Sequence, residues 1–118
     1  MKSFLFVMQT PAYSSLKIQE VLDVVLITAA FDQKVSLLLM DEAVFHLKKN
    51  QQGKLLGGKD ISAIYRSLEL YDIENIYVEY ESLIECGLSQ DDLLIPVVIV
   101  ARADVAPLFK TFDFTLNG

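Results

Sequence analysis

Short apolar runs of strand length recur along this chain, and stripes at helical spacing separate them. Phe4–Met8 has no polar residue at all, and Val35–Met40 is broken only by Ser36. A strand without polar/apolar alternation has no wet face, so it belongs inside a sheet covered on both sides. Between those two runs, Ile18, Val21, Leu22, Val25, Leu26 and Ala29 follow helical spacing, with Gln19, Glu20 and Asp23 off the stripe. Val24 and Ile27 widen that stripe, which predicts a helix covered on more than one side. The alternation of such strands and helices predicts an α/β protein, a three-layer α/β/α sandwich around a mostly parallel five-stranded sheet.

The remaining elements follow the same logic. Thr10–Ser15 reads as a turn-rich loop, and Asp41 closes the second strand. Ala43–Lys48 reads as a short helical piece, and Asn50–Lys59, with Gly53, Gly57 and Gly58, as the least regular stretch. Ile61, Ile64, Tyr65 and Leu68 form another helical face, capped by Asp60. Ile76–Val78 is a third strand, and a short helix over Ser82–Cys86 is stopped by Gly87. Val97–Ala101 is a fourth strand entered through Pro96. The last helix spans Ala103–Lys110, with Pro107 tolerable only in a first turn. Phe112, Phe114 and Leu116 alternate as a terminal strand.

At 118 residues the chain fits one domain over 1–118. Hydrophobic residues make up 53%, above the roughly 45–50% of ordinary soluble domains. A small fold cannot hide that excess unless its sheet is covered on both faces or a partner covers part of it. The net charge of −6 repels phosphate backbones and argues against direct nucleic-acid binding. The basic run Lys48–Lys49, with Lys54 and Lys59, reads as a solvated loop face. A single cysteine can close no intrachain disulfide, which fits a reducing, cytoplasmic setting. The apolar start lacks a secretory cleavage pattern, and no run approaches the ~20 residues that span a bilayer.

Chemistry-bearing residues are sparse. Cys86 and His46 are each the sole residue of their type. One histidine and one cysteine cannot assemble a zinc site, no nucleophilic triad is apparent, and no glycine-rich phosphate loop occurs. No metal or cofactor is therefore expected, and His46 is expected at a surface or interface. Thr10, Pro11, Tyr13, Asp41 and Tyr77–Glu79 should gather at the carboxyl ends of the strands, where open α/β sheets build sites. Asp41–Glu42 resembles a receiver-type acidic pocket but lacks the matching lysine and threonine, and Asp91–Asp92 reads as a helix-start charge pair.

Three stretches together resemble the DsrE/DsrF/DsrH-like sulfur-relay family and, within it, its TusC/DsrF type of subunit. They are Phe4–Ser15, Leu38–Leu47, and the block from Leu68-Glu-Leu-Tyr-Asp-Ile-Glu through Ile76-Tyr-Val to Ser82-Leu-Ile-Glu-Cys-Gly-Leu. Their order and spacing fit over essentially the whole chain. The resemblance implies the same three-layer fold and no cofactor. It also implies a hetero-oligomer with TusB/DsrH-type and TusD/DsrE-type sister subunits that passes persulfide sulfur between proteins. In TusBCD-type complexes that sulfur ends on the wobble uridine of tRNA, and in DsrEFH-type complexes it serves oxidative sulfur metabolism.

The transferring cysteine of that family sits on the D/E-type subunit. Its place here falls at Glu79 or, with a slightly shifted alignment, at Tyr77, and neither can form a persulfide. Cys86 is the one residue able to hold sulfur, but it ends a helix beside Glu85, where the dipole and the neighbouring charge disfavour a thiolate. A supporting subunit, most readily one serving tRNA thiolation, is the reading these residues favour. A DsrF-type role or a carrier using Cys86 itself are the alternatives.

Overall fold

The computed structural model describes residues 2–9, 15–31, 33–48, 65–71, 73, 75–93 and 95–117. Its elements run β1 (Ser3–Met8), α1 (Ser15–Ala30), β2 (Lys34–Leu39), β3 (Ile76–Glu79), α2 (Tyr80–Glu85), β4 (Val98–Val100), α3 (Arg102–Phe109) and β5 (Phe114–Asn117). Short 3-10 segments occupy Asp41–Leu47, Leu68–Tyr71 and Gln90–Asp92. The five strands form one sheet in the order β4-β3-β2-β1-β5, and every pairing is parallel. The expected α/β sandwich is thus the observed one.

β1 and β2 are central and read as continuous apolar runs because both of their faces are buried. On one face Phe6, Met8, Val35, Leu37, Leu39 and Val78 pack against Ile18, Leu22 and Val25 of α1. On the other, Leu5, Val7 and Leu38 pack against Val105 of α3, with Tyr77, Val100 and Phe109 partly buried around them. Successive residues of a strand point to opposite faces, so Tyr77 and Glu79 both stand on the α3 side. Among the described residues the α3 side has the smaller cluster, because α3 is only eight residues long.

α2 follows β3 without a loop and stops as Gly87 predicts. Gly87 has φ +70°, its N–H donates to the Ile84 carbonyl at 3.0 Å, and the Leu88 N–H donates to Leu83 at 2.9 Å. That pair of bonds is a Schellman end, and it satisfies carbonyls the helix leaves open.

Four expectations need correction. Pro107 lies in the second half of α3, not its first turn. It removes the amide that would bond the Ala103 carbonyl, a loss an exposed residue offsets with water, and the chain then leaves through successive tight turns. Val24 and Ile27 of α1 are exposed rather than covered; with Phe31, one residue past the helix, they form an apolar stripe, 51%, 58% and 73% accessible. His46 is fully buried rather than at the surface, because its Nδ1 meets the Tyr65 hydroxyl at 2.8 Å inside the fold. The fourth strand, expected over Val97–Ala101, is shorter, Val98–Val100, and lies at the sheet edge with Val98 exposed. Of the helical face around residue 65, Tyr65 and Leu68 are described and buried. Ile61, Ile64, Asp60 and the glycine-containing stretch Asn50–Lys59 lie outside the described residues. No described helix is long and apolar enough to cross a membrane.

The edge strand β5 is all exposed, and two contacts fix its register. The Phe114 ring stacks on Phe4 at 5.0 Å, and Asp113 clamps Ser3. The Asp113 carboxylate accepts the Ser3 N–H at 2.8 Å and the Ser3 hydroxyl at 3.1 Å, while the Asp113 N–H donates to Ser3 Oγ at 3.0 Å. These bonds, the Ser3 amide first, hold the Asp113 carboxyl below the usual carboxylate range, with the Lys2 charge assisting.

Two outcomes are expected. Gly87→Ala should destabilise by about 1 kcal/mol in urea unfolding through backbone strain alone, since an added Cβ would meet nothing within 4 Å. The Asp113 bonds should contribute fully above the unfolded carboxyl pKa of about 4 and fade as pH falls through the lower folded value. The stability difference between the wild type and Asp113→Ala in unfolding curves should therefore be fully present at neutral pH and shrink as pH falls below about 4.

Candidate functional site

The carboxyl ends of β2, β3 and β4 bring three charged positions together. β2 ends before Asp41, β3 ends on Glu79, and β4 is followed by Arg102, the first residue of α3. With Met40, Glu85, Val105, Ala106 and Phe109 they line a hollow of about 440 Å3. Of the strand-end residues expected here, the structure unites Asp41 and Glu79. Tyr77 lies on the same face but farther down β3, within the second apolar cluster, and its hydroxyl accepts from Asn75 Nδ2 at 3.4 Å. Thr10, Pro11 and Tyr13 lie outside the described residues.

Glu79 is completely buried. Its Oε1 accepts from Ser82 Oγ at 2.6 Å, Arg102 Nη2 at 2.9 Å and Arg102 Nε at 3.2 Å. Ser82 is one turn along α2, so the tight β3–α2 junction itself sets that contact. The Ser82 hydroxyl oxygen also accepts the Asp41 N–H at 2.8 Å. Asp41 has φ +54°, the left-handed region that aspartate tolerates better than most residues, and its Oδ2 accepts from Gln9 Nε2 at 3.0 Å. Main chain and side chains thus link β2, β3, α2 and α3 in one polar network.

Arg102 completes it. Besides Glu79, its Nη2 reaches Glu85 Oε1 at 2.7 Å, and its backbone N–H donates to Glu81 Oε1 at 2.8 Å. The hydrogen bonds to Glu79 first and Glu85 second push the guanidinium above its already high range. The pair is asymmetric, with Arg102 about half exposed and Glu79 not exposed at all. Sequence reasoning missed Arg102 and Ser82. The available signal was positional: Arg102 is the first charged residue after the fourth strand, level with the end of the third.

Cys86 caps α2 and is partly buried, with its Sγ 3.7 Å from the Asp41 carbonyl oxygen. Burial pushes its thiol pKa up, and the charges of Glu42, Glu85 and Asp41 push it further. A thiol so placed carries little thiolate at neutral pH and is a poor nucleophile. His46 faces the other side of the sheet with Tyr65, whose phenol burial also pushes up, and so it is no base for this hollow. Asp92 accepts the Ser89 N–H at 2.9 Å and the Ser89 hydroxyl at 3.2 Å, which gives the Asp91–Asp92 pair a turn-closing task. No metal-capable cluster of three or more side chains occurs among the described residues.

The network offers charge recognition and rigidity rather than bond-making. Arg102→Ala should strand the buried Glu79 carboxylate and destabilise by about 2 kcal/mol, below the range for wholly buried pairs because Arg102 is half exposed. Arg102→Lys should recover only part, since lysine lacks the forked donors. A double-mutant cycle with Glu79→Gln in chemical denaturation reads both effects.

Comparison with known proteins agrees with this fold. The model of the DsrE/DsrF-like family matches residues 2–117. The intracellular sulfur oxidation protein DsrF of Allochromatium vinosum is 42% identical over 93 residues, covering 79% of this chain and 68% of that protein. A TusC homolog of Pseudomonas aeruginosa is 29% identical over 112 residues, covering 95% and 94%. The crystal structure of the ychN protein from E. coli superposes with a TM-score of 0.83 over the full length of both chains, at 19% identity, a likeness of fold. With every strand of the sheet inside the matched span, this chain belongs to the DsrE/DsrF-like family.

Proposed function

We propose that this chain is an accessory, non-catalytic subunit of a cytoplasmic persulfide-relay complex, acting as one domain over residues 1–118. The observation that carries this reading is the identity and state of Glu79. The family resemblance puts the transferring cysteine at this strand end or at Tyr77. Here a carboxylate fills the first position, bonded to Arg102 and Ser82, and a tyrosine the second. A carboxylate has no sulfur nucleophile, and this one is closed in by Arg102 and Ser82. Cys86, the alternative carrier, has its thiol pKa raised by burial and three carboxylates.

The work of the subunit is then positional. Exposed Val24 and Ile27 on α1, Phe31 just past it, and Tyr80 and Ile84 on α2 supply apolar surface for TusB/DsrH-type and TusD/DsrE-type sister subunits. Covering it fixes where the sister cysteines stand, so that sulfur passes between thiols without meeting water. Any tRNA contact falls to the sister chains, in keeping with the net charge of −6. The 2-thio group of the tRNA wobble uridine is the destination proposed first. Oxidative sulfur metabolism is the second, and the 42% identity to the Allochromatium vinosum DsrF favours it. Deleting the gene separates them: tRNA hydrolysates lacking 2-thiouridine mark the first, and impaired oxidation of reduced sulfur with intact 2-thiouridine marks the second.

In the reconstituted complex, Cys86→Ser should transfer sulfur at close to the wild-type rate, and Phe31→Asp should abolish assembly in native mass spectrometry. A one-sulfur adduct on Cys86 after incubation with a cysteine desulfurase and cysteine, together with lost transfer in Cys86→Ser, would overturn the accessory role.

A further inference from the structure

Among the described residues the sheet ends at β4, which pairs with β3 on one side and with no strand on the other. An edge strand turns alternate main-chain N–H and C=O groups outward, where a second extended chain can bond to them. Val98–Val100 has neither the charge nor the proline that commonly guards such an edge, and its brevity limits a guest to a few main-chain bonds. A groove of about 410 Å3 lies beside it, lined by Ile99, by Tyr80, Leu83 and Ile84 of α2, and by Leu88. Tyr80 and Ile84 stand one helical turn apart, and both are exposed. Leu83 and Ile99 belong to the cluster on the α1 side of the sheet, so the groove opens on that side.

Strand geometry then fixes which guest residue meets the groove. Residues opposite one another on neighbouring strands share a face, and successive residues alternate. A guest residue opposite Ile99 therefore enters the groove, and its two neighbours fall beside Val98 and Val100 on the other face. Charge narrows the guest further. From Tyr80 to Ala101 there are four carboxylates, Glu81, Glu85, Asp91 and Asp92, and no lysine or arginine. Glu85 is met by the Arg102 guanidinium, whereas Glu81 bonds a main-chain amide that leaves its charge uncompensated. A second copy of this chain would set these like charges against themselves, and a cationic segment would gain from them. We propose that β4 and its groove bind an extended segment of another protein, which joins the five-stranded sheet at this edge. One large apolar side chain of that segment fills the groove, and a lysine or arginine two positions to either side faces the acidic rim. That a sister subunit supplies the segment rests on the accessory reading above; the chemistry of the edge does not.

The test is a nitrogen-15 amide titration of the full chain with acetyl-Lys-Thr-Phe-Thr-Lys-amide. Saturable shifts are expected at the amides of Ile84, Leu88 and Ile99, with a Kd on the order of millimolar. Probes with glutamate for both lysines, or with alanine for phenylalanine, should each bind about tenfold more weakly. Ile84→Lys changes an exposed position, so it should leave the rest of the amide spectrum intact and abolish saturation. Two further probes carry N-methyl groups on alternate amides, and one of them should lose binding because only one set can face β4. Equal binding by both methylated probes would overturn strand addition. Absence of saturation up to about 20 mM, or an equal response to the acidic or alanine probe, would overturn the proposal as a whole. Self-association of the chain that Ile84→Lys abolishes would overturn it in favour of a second copy. With coexpressed sister chains the same amides should be unresponsive to the basic probe, and amides that still answer it inside an assembled complex would overturn the sister as the source. Failure of any complex to form, seen by native mass spectrometry, sinks the subunit reading and that source with it, while the titration alone judges the chemistry of the edge.

Discussion

β1 and β2 bury both faces, and the rest of the architecture answers that demand. Leu5, Val7 and Leu38 cannot face water any more than Phe6, Leu37 and Leu39 can, so each side of the sheet must be covered by an element that reaches it. α1 covers one side over sixteen residues, while the described cover of the other centres on the eight of α3. Parallel strands also require every connection to cross from one end of the sheet to the other. Each crossover therefore starts at the carboxyl edge, and Asp41, Glu79 and Arg102 become neighbours although they are far apart in sequence.

The short α3 then has a consequence for charge. Its first residue, Arg102, stands beside the end of β3, since Glu79 and Val100 are register partners. Without that guanidinium, burying Glu79 under α2 would leave an ionised oxygen in an apolar setting. With it, the strand end becomes a rigid polar joint linked to Ser82 and, through its hydroxyl, to the Asp41 backbone. The joint pairs one half-exposed cation with a carboxylate that has no exposure, so it is better suited to holding a shape than to trading protons or electrons.

Most of the sheet was legible in the sequence because burial on both faces leaves a mark that needs no partner to interpret. Phe4–Met8 and the Gly87 stop are local signals, and local signals survive into the fold. His46 was misplaced because its partner, Tyr65, lies nineteen residues on, and no periodicity reports a side-chain pair across elements. Val24 and Ile27 were misread for the opposite reason. Periodicity records that a helix face is apolar, whereas what covers it lies in tertiary or quaternary contacts. Pro107 was expected only where an amide is already unpaired; a helix this short tolerates the loss because water reaches it. In the site, Glu79 and Asp41 could be placed from topology, but the Arg102 pairing depends on strand order, which apolar patterning does not encode.

The exposed stripe on α1 and the buried carboxylate at Glu79 belong to one argument about where reactivity can reside. A buried carboxylate at Glu79 needs local compensation, and Arg102 supplies the opposite charge while Ser82 adds a hydrogen bond. This polar joint sits at a strand end and belongs to neither apolar cluster. Val24, Ile27 and Phe31 sit at helical spacing on the side of α1 away from the sheet, where retaining three large apolar residues in water lowers solubility without aiding the fold. The compensated carboxylate and the exposed apolar stripe are both consistent with the accessory role proposed above, in which the chain acts through the surface it offers.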